Sequence, residues 1–145
     1  MTLRTFIAAL AFAALLTACG GGPTRRISPS VVTIQELVDR GEGQWRVTLR
    51  VQNFSTVSMH YESIHATLHV AGADVATIDL NPNLDVPPTS ADVFETTLRA
   101  SAKLPAADFE YRITGTIASS EPKAEFKLDR SSHLSPAPGL PGTWR

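Results

Sequence analysis

Side chains able to do chemistry are sparse in this 145-residue chain, and their spacing limits what they can do. Four histidines stand at His60, His65, His69 and His133. His65 and His69 share one face of an alternating segment, but four residues of strand span about 13 Å, too far to hold one metal ion. A metal site would need either of them to meet a partner from a neighbouring strand. Polar residues on the wet face of a sheet explain them more simply, so no metal ligands are assigned. Asp79, Asn81, Asn83 and Asp85 imitate the first four ligand positions of a calcium loop. The pattern then breaks: Leu84 stands where Gly is required, Ser90 where Glu is required, and Pro82 stiffens the middle. A polar turn leaving a strand accounts for the same residues. Ser, His and Asp all occur, but there is no Gly-x-Ser-x-Gly elbow and no phosphate-cradling glycine motif. No catalytic residue and no cofactor is assigned.

One residue does have a specific chemical setting. Cys19 is the only cysteine, and it follows Leu16-Thr17-Ala18. Upstream lie a short basic start containing Arg4 and an apolar run over residues 6–16, too short for a stable bilayer-crossing helix. This is the layout of a bacterial lipobox. The expectation is a signal peptide over residues 1–18 and a mature chain beginning at Cys19, which carries a thioether-linked diacylglycerol and an N-acyl chain such as palmitate. Each buried methylene contributes about 0.8 kcal/mol, so two or three chains anchor firmly. Gly20 follows where an Asp would resemble an inner-membrane retention signal, so the expected location is the outer membrane, facing the periplasm. A lipidated Cys19 also leaves no thiol for a disulfide or for a Cys–His mechanism.

Loss of residues 1–18 removes Arg4, leaving 12 basic and 14 acidic residues. That balance carries no basic stripe for nucleic acid, and Arg25-Arg26 is only a pair for anionic lipid. Residues 19–29, with three glycines directly after Cys19, are expected to form a flexible tether.

From residue 30 the hydrophobic period is two, the strand signature. Trp45, Val47, Leu49 and Val51 alternate with Arg46, Thr48, Arg50 and Gln52. Ile64, Ala66, Leu68 and Val70 alternate with polar residues, as do Phe109, Tyr111, Ile113, Gly115 and Ile117. Weaker strands are expected at residues 31–38, with a bulge near Gln35 and Glu36, and at 75–80, 92–98 and 124–128. The expected turn Ala71-Gly72-Ala73-Asp74, whose Gly suits a hairpin, leads into the strand at 75–80. Residues 100–107 read as a short helical turn limited by Pro105. Seven strands with these turn signals predict a single all-β domain over residues 30–130, an antiparallel β-sandwich of the immunoglobulin or fibronectin III kind. The Pro- and Gly-rich tail, residues 131–145, is either loose or an extended strap, and Leu140 and Trp144 favour the strap.

The order of these elements resembles the late-embryogenesis-abundant type 2 family, also called the water-stress and hypersensitive-response (WHy) domain, over about residues 27–130. The match runs through the strand Trp45-Arg46-Val47-Thr48-Leu49-Arg50-Val51-Gln52 into Asn53-Phe54-Ser55, then residues 61–72, Pro87-Pro88-Thr89-Ser90, and residues 109–117. Asn53-Phe54-Ser55 replaces the family's Asn-Pro-Asn, and Asn81-Pro82-Asn83 lies in a different connection. Lipobox-bearing bacterial members with this substitution and a similar Pro/Gly tail form a subgroup that the chain resembles. The resemblance implies a fibronectin-like sandwich and an association with desiccation or envelope stress. It implies no catalytic residues and no defined ligand.

Most aromatics fall on inward faces and read as core. Phe54, Met59 and Tyr61 instead cluster after the second strand, where they either cap the sandwich rim or expose an apolar patch to a partner. The functional expectation is a non-enzymatic, membrane-anchored envelope protein acting in stress protection or as a structural or interaction module. The alternative is a lipoprotein that binds a small apolar ligand or an envelope protein through a sheet edge or the Phe54–Met59–Tyr61 loop.

Overall fold

A computed structural model describes residues 21–145, which form nine strands and no helix. The strands are β1 (Val31–Asp39), β2 (Gln44–Gln52), β3 (Met59–Val70), β4 (Ala73–Leu80), β5 (Leu84–Val86), β6 (Ala91–Arg99), β7 (Phe109–Glu121), β8 (Lys123–Leu134) and β9 (Thr143–Trp144). One antiparallel sheet runs β6-β2-β1-β9, and the other runs β4-β3-β7-β8 with β5 also on β3. Without β9 and β5, these are the three-strand and four-strand sheets of an immunoglobulin-like sandwich, as the periodicity predicts.

Alternation builds the core. Trp45, Val47, Leu49 and Val51 present one face of β2 and are at most 1% exposed, while Ile64, Leu68, Ile113 and Ile117 meet them from the other sheet. The expected bulge is present: the register passes from Ile34↔Leu49 to Glu36↔Thr48 and leaves Gln35 unpaired. That extra residue switches the inward positions of β1 from Val32 and Ile34 to Leu37. Tyr111, reaching across from β7, accepts the Ile34 N–H on its phenol oxygen (2.9 Å) and so ties the bulge to the opposite sheet. Gly115 has a packing role. A Cβ there would lie 2.1 Å from the His65 carbonyl oxygen, so only glycine lets β3 and β7 approach this closely.

Three expectations require correction. Residues 100–107 are not helical, because the Ala100 and Ser101 amides donate to the carbonyls of Gly43 and Val75 instead (2.8 Å each). The expected tail begins too early, since residues 131–134 continue β8. The remainder is a docked strap: β9 pairs with Leu37 and Val38 of β1, and the Trp144 ring meets Phe109 edge-on at 6.3 Å. Finally, β5 was not expected. It continues the line of β4 along β3 after a break at residues 81–83.

Strand pairing assigns the loops to two poles. Residues 24–30, the β2–β3 loop, the β5–β6 connection and the β7–β8 turn share one, the N-terminal pole. The β1–β2 and β3–β4 turns, residues 100–108 and the C-terminal strap share the other.

Candidate functional site

The N-terminal pole is organised by one side chain. Asn53 is fully buried at the end of β2. Its Nδ2 lies within hydrogen-bond distance of the carbonyls of Val57 (2.9 Å), Pro87 (3.0 Å) and Val86 (3.1 Å). Its Oδ1 accepts the Ser55 N–H (2.8 Å), and its own N–H donates to Ser90 (2.8 Å). Only an amide side chain can donate and accept together in this way; a carboxylate would face three carbonyls with no proton to give. Asn53 therefore clamps the β2–β3 loop to the β5–β6 connection, which gives the Asn-Phe-Ser motif a physical basis.

The next residues hold the N-terminal segment. Ser55 is buried, and its Oγ accepts the Ser28 N–H (3.0 Å), while its carbonyl accepts the Thr89 N–H (3.0 Å). The Thr56 N–H donates to the Arg26 carbonyl (2.9 Å), and the Arg26 N–H returns a bond to Thr56 Oγ1 (2.8 Å). Thr56 Oγ1 also donates to the Thr24 carbonyl (2.8 Å). The tether expected over residues 19–29 is thus shortened, because residues 24–28 are bonded to the sandwich. Cys19 and the signal segment lie outside the described residues.

The expected Phe54–Met59–Tyr61 loop is also corrected. Met59 and Tyr61 belong to β3 and are completely buried. The Tyr61 hydroxyl bonds to Ser30, and burial pushes its pKa above the usual phenol value, with the Ser30 bond opposing. Only Phe54 projects, 48% exposed between two buried neighbours. Its companion at this pole is Ile27, 41% exposed, which lies within the expected tether, where no periodicity marks it as an interaction residue.

On the outer face of the second sheet, every histidine stands directly across a strand ladder from an acid. The register pairs are His60↔Asp85, His65↔Asp79, His69↔Asp74 and His133↔Glu110. The nitrogen–oxygen distances are 2.7, 2.8, 2.6 and 3.8 Å in that order. His69 also meets Thr114 Oγ1 (2.7 Å). His60 is held above its usual pKa, chiefly by its hydrogen bond to Asp85. The residues that imitate a calcium loop are spread along this edge. Asp79 and Asp85 face β3 positions five residues apart, about 16 Å. Among the described residues no group of three or more His, Cys, Asp or Glu is placed to hold a metal ion.

Among the described residues, an open groove of about 490 Å³ lies at the far pole between the β1–β2 turn and residues 100–104. Its lining mixes Asp39, Glu42 and Lys103 with Trp45 and Leu104.

No family model and no curated protein matches the chain. Among solved structures, it is similar to "Northeast Structural Genomics Consortium target SoR45", at 15% identity and TM-score 0.48, over 79% of this chain and 92% of that one. A "protein from Archaeoglobus fulgidus" aligns at 15% identity and TM-score 0.41, over 77% and 98%. A "FixG-related protein from Vibrio parahaemolyticus" aligns at 13% identity and TM-score 0.37, over 72% and 95%. Likenesses this distant carry no argument about function.

Proposed function

We propose that the chain is a lipid-anchored cell-envelope protein whose sandwich acts without catalysis, as a structural or protective module held at the outer membrane. The single observation that carries this reading is the position of its only cysteine, directly after Leu16-Thr17-Ala18 and a signal-like apolar run. The polar side chains of the N-terminal pole support it. Asn53, Ser55 and Ser30 are buried and hold loops together, an arrangement suited to scaffolding. A protective role against drying or envelope stress is proposed from the resemblance to the late-embryogenesis-abundant type 2 family, in which Asn53 occupies the motif position.

The anchor is tested with Cys19→Ser in the full chain. Loss of metabolic palmitate label and accumulation of unprocessed precursor are expected, and normal maturation of the variant would overturn the anchor. For protection, a model enzyme is dried with the protein or with an inert protein at equal mass. Activity recovered no better than with the inert control would remove the protective role and leave the structural one.

A further inference from the structure

We infer that the N-terminal pole seats against the bilayer, with Phe54 and Ile27 entering the boundary between headgroups and acyl chains and Arg25 and Arg26 beside the lipid phosphates. The inference rests on the Cys19 anchor proposed above and gives it a geometry. Thr24 is the first residue bonded to the sandwich. Four residues lie between it and Cys19, five steps of chain, and an extended chain spans at most about 3.6 Å per step, so the lipid lies within about 18 Å of this pole. β3 alone, at 12 residues, makes the sandwich about 40 Å long. The linker therefore keeps the N-terminal pole close to the lipid and the far pole out of its direct reach.

The surface presented there has the matching chemistry. Residues 53–59 and 86–90 carry no charge. Phe54 is held outward by a fixed backbone, since Asn53 on one side and Ser55 on the other are buried and hydrogen-bonded. Ile27 is fixed in the same way between Arg26 and Ser28, whose amides bond to Thr56 and Ser55. Two apolar side chains displayed on rigid backbone enter a lipid interface at little cost in ordering entropy. Aromatic rings suit that boundary, and guanidinium groups suit phosphate. The acids at this pole are Asp85, paired with His60, Asp92 at the start of β6, whose Oδ1 accepts the Val93 N–H, and Glu121 at the end of β7, two residues before Lys123. Of the other exposed large apolar residues, Leu140 lies at the far pole and Val93 on β6.

The test uses the full-length lipidated protein in vesicles of phosphatidylethanolamine and phosphatidylglycerol. With Cys19 acylated, Phe54→Cys, Ile27→Cys and Leu140→Cys each supply a single free thiol for a nitroxide. All three positions are exposed, so the variants should melt with the parent. The expected result is an oxygen-to-nickel-chelate accessibility ratio severalfold higher at positions 54 and 27 than at 140. Equal ratios at all three positions on vesicle-bound protein would overturn the seating and leave the anchor standing. Labels at 54 and 27 shielded from both relaxants, as contact with a second copy or another protein would give, overturn it as well. Nitroxide uptake by the parent at Cys19, or failure to float with vesicles, would instead defeat the anchor and with it the geometry.

Discussion

The two poles of this sandwich are closed by different kinds of side chain. At the N-terminal pole, buried Asn53 and Ser55 hold three chain segments through directed hydrogen bonds, and the side chain between them is left in solvent. At the far pole the chain closes with an aromatic plug: Trp144 packs on Phe109, and Arg145 pairs with Glu36 (2.6 Å) at the surface. The Trp144 indole N–H is buried without a partner, so its ring holds by apolar contact, while the backbone of the strap is tied by the Asp39 N–H to the Gly142 carbonyl (2.9 Å) and by reciprocal bonds between Ser135 and Arg145 (2.8 and 2.9 Å). Hydrogen bonds fix where loops go, whereas an apolar plug excludes water while tolerating some slack in position. The pole proposed to face the membrane is therefore specified by buried polar side chains, and the far pole by backbone pairing and an aromatic contact.

Four substitutions test that contrast, from the largest effect to the smallest. Asn53→Ala strands three carbonyls and the Ser55 amide, and buried groups left unpaired cost about 1–3 kcal/mol each before relaxation and water entry, so a loss of about 3 kcal/mol is expected in urea denaturation. Asn53→Asp should be comparably harmful, because the carboxylate faces the same carbonyls without a donor. Trp144→Ala is expected to cost about 2 kcal/mol, below the roughly 3–5 kcal/mol of a core tryptophan, because the chain end beyond Gly142 has freedom to settle into the space left. If it costs more than Asn53→Ala, the contrast between the poles is reversed. Ser55→Ala should cost about 1 kcal/mol and selectively raise hydrogen exchange at the Ser28 amide. Unchanged protection there would mean that the N-terminal segment is held by something other than Ser55.

The smallest effect is a pH dependence. The folded-state pKa of His60 is raised, mainly by Asp85, so its contribution is fully present below the unfolded value near 6.5 and is lost as pH rises through the higher folded value. The pair is solvent-exposed, so the effect is modest and weakens with salt. The melting temperature of the parent, relative to His60→Gln, should be higher at pH 5.5 than at pH 8. A difference of the opposite sign would show that the pair does not stabilise the fold.

Most of the fold was legible because alternation is a direct record of which face is dry. Even the β1 bulge was visible, since the alternation slips at Gln35. The start of β3 was hidden by the same kind of slip. Met59 and Tyr61 point inward at odd positions and Ile64 at an even one, with register shifts between them, so the segment resembled a loop. β5 was hidden because its three residues carry only two apolar side chains after Asn81-Pro82-Asn83. The docking of residues 24–28 left no periodic trace, being made by hydroxyl and backbone hydrogen bonds between segments about 30 positions apart. The histidine–acid ladder was recoverable in part. Once Ala71-Gly72 is taken as a two-residue turn, His69 falls opposite Asp74 and His65 opposite Asp79, within one bulge.

The strap at the far pole has a consequence for how the molecule is made. Its last strand, Thr143–Trp144, lies on the first, at Leu37 and Val38, so the sheet is joined end to end. Contacts of such sequence separation form late and slowly. In the export proposed above, this join closes only after Trp144 has crossed the membrane, so the strap docks last onto the sandwich.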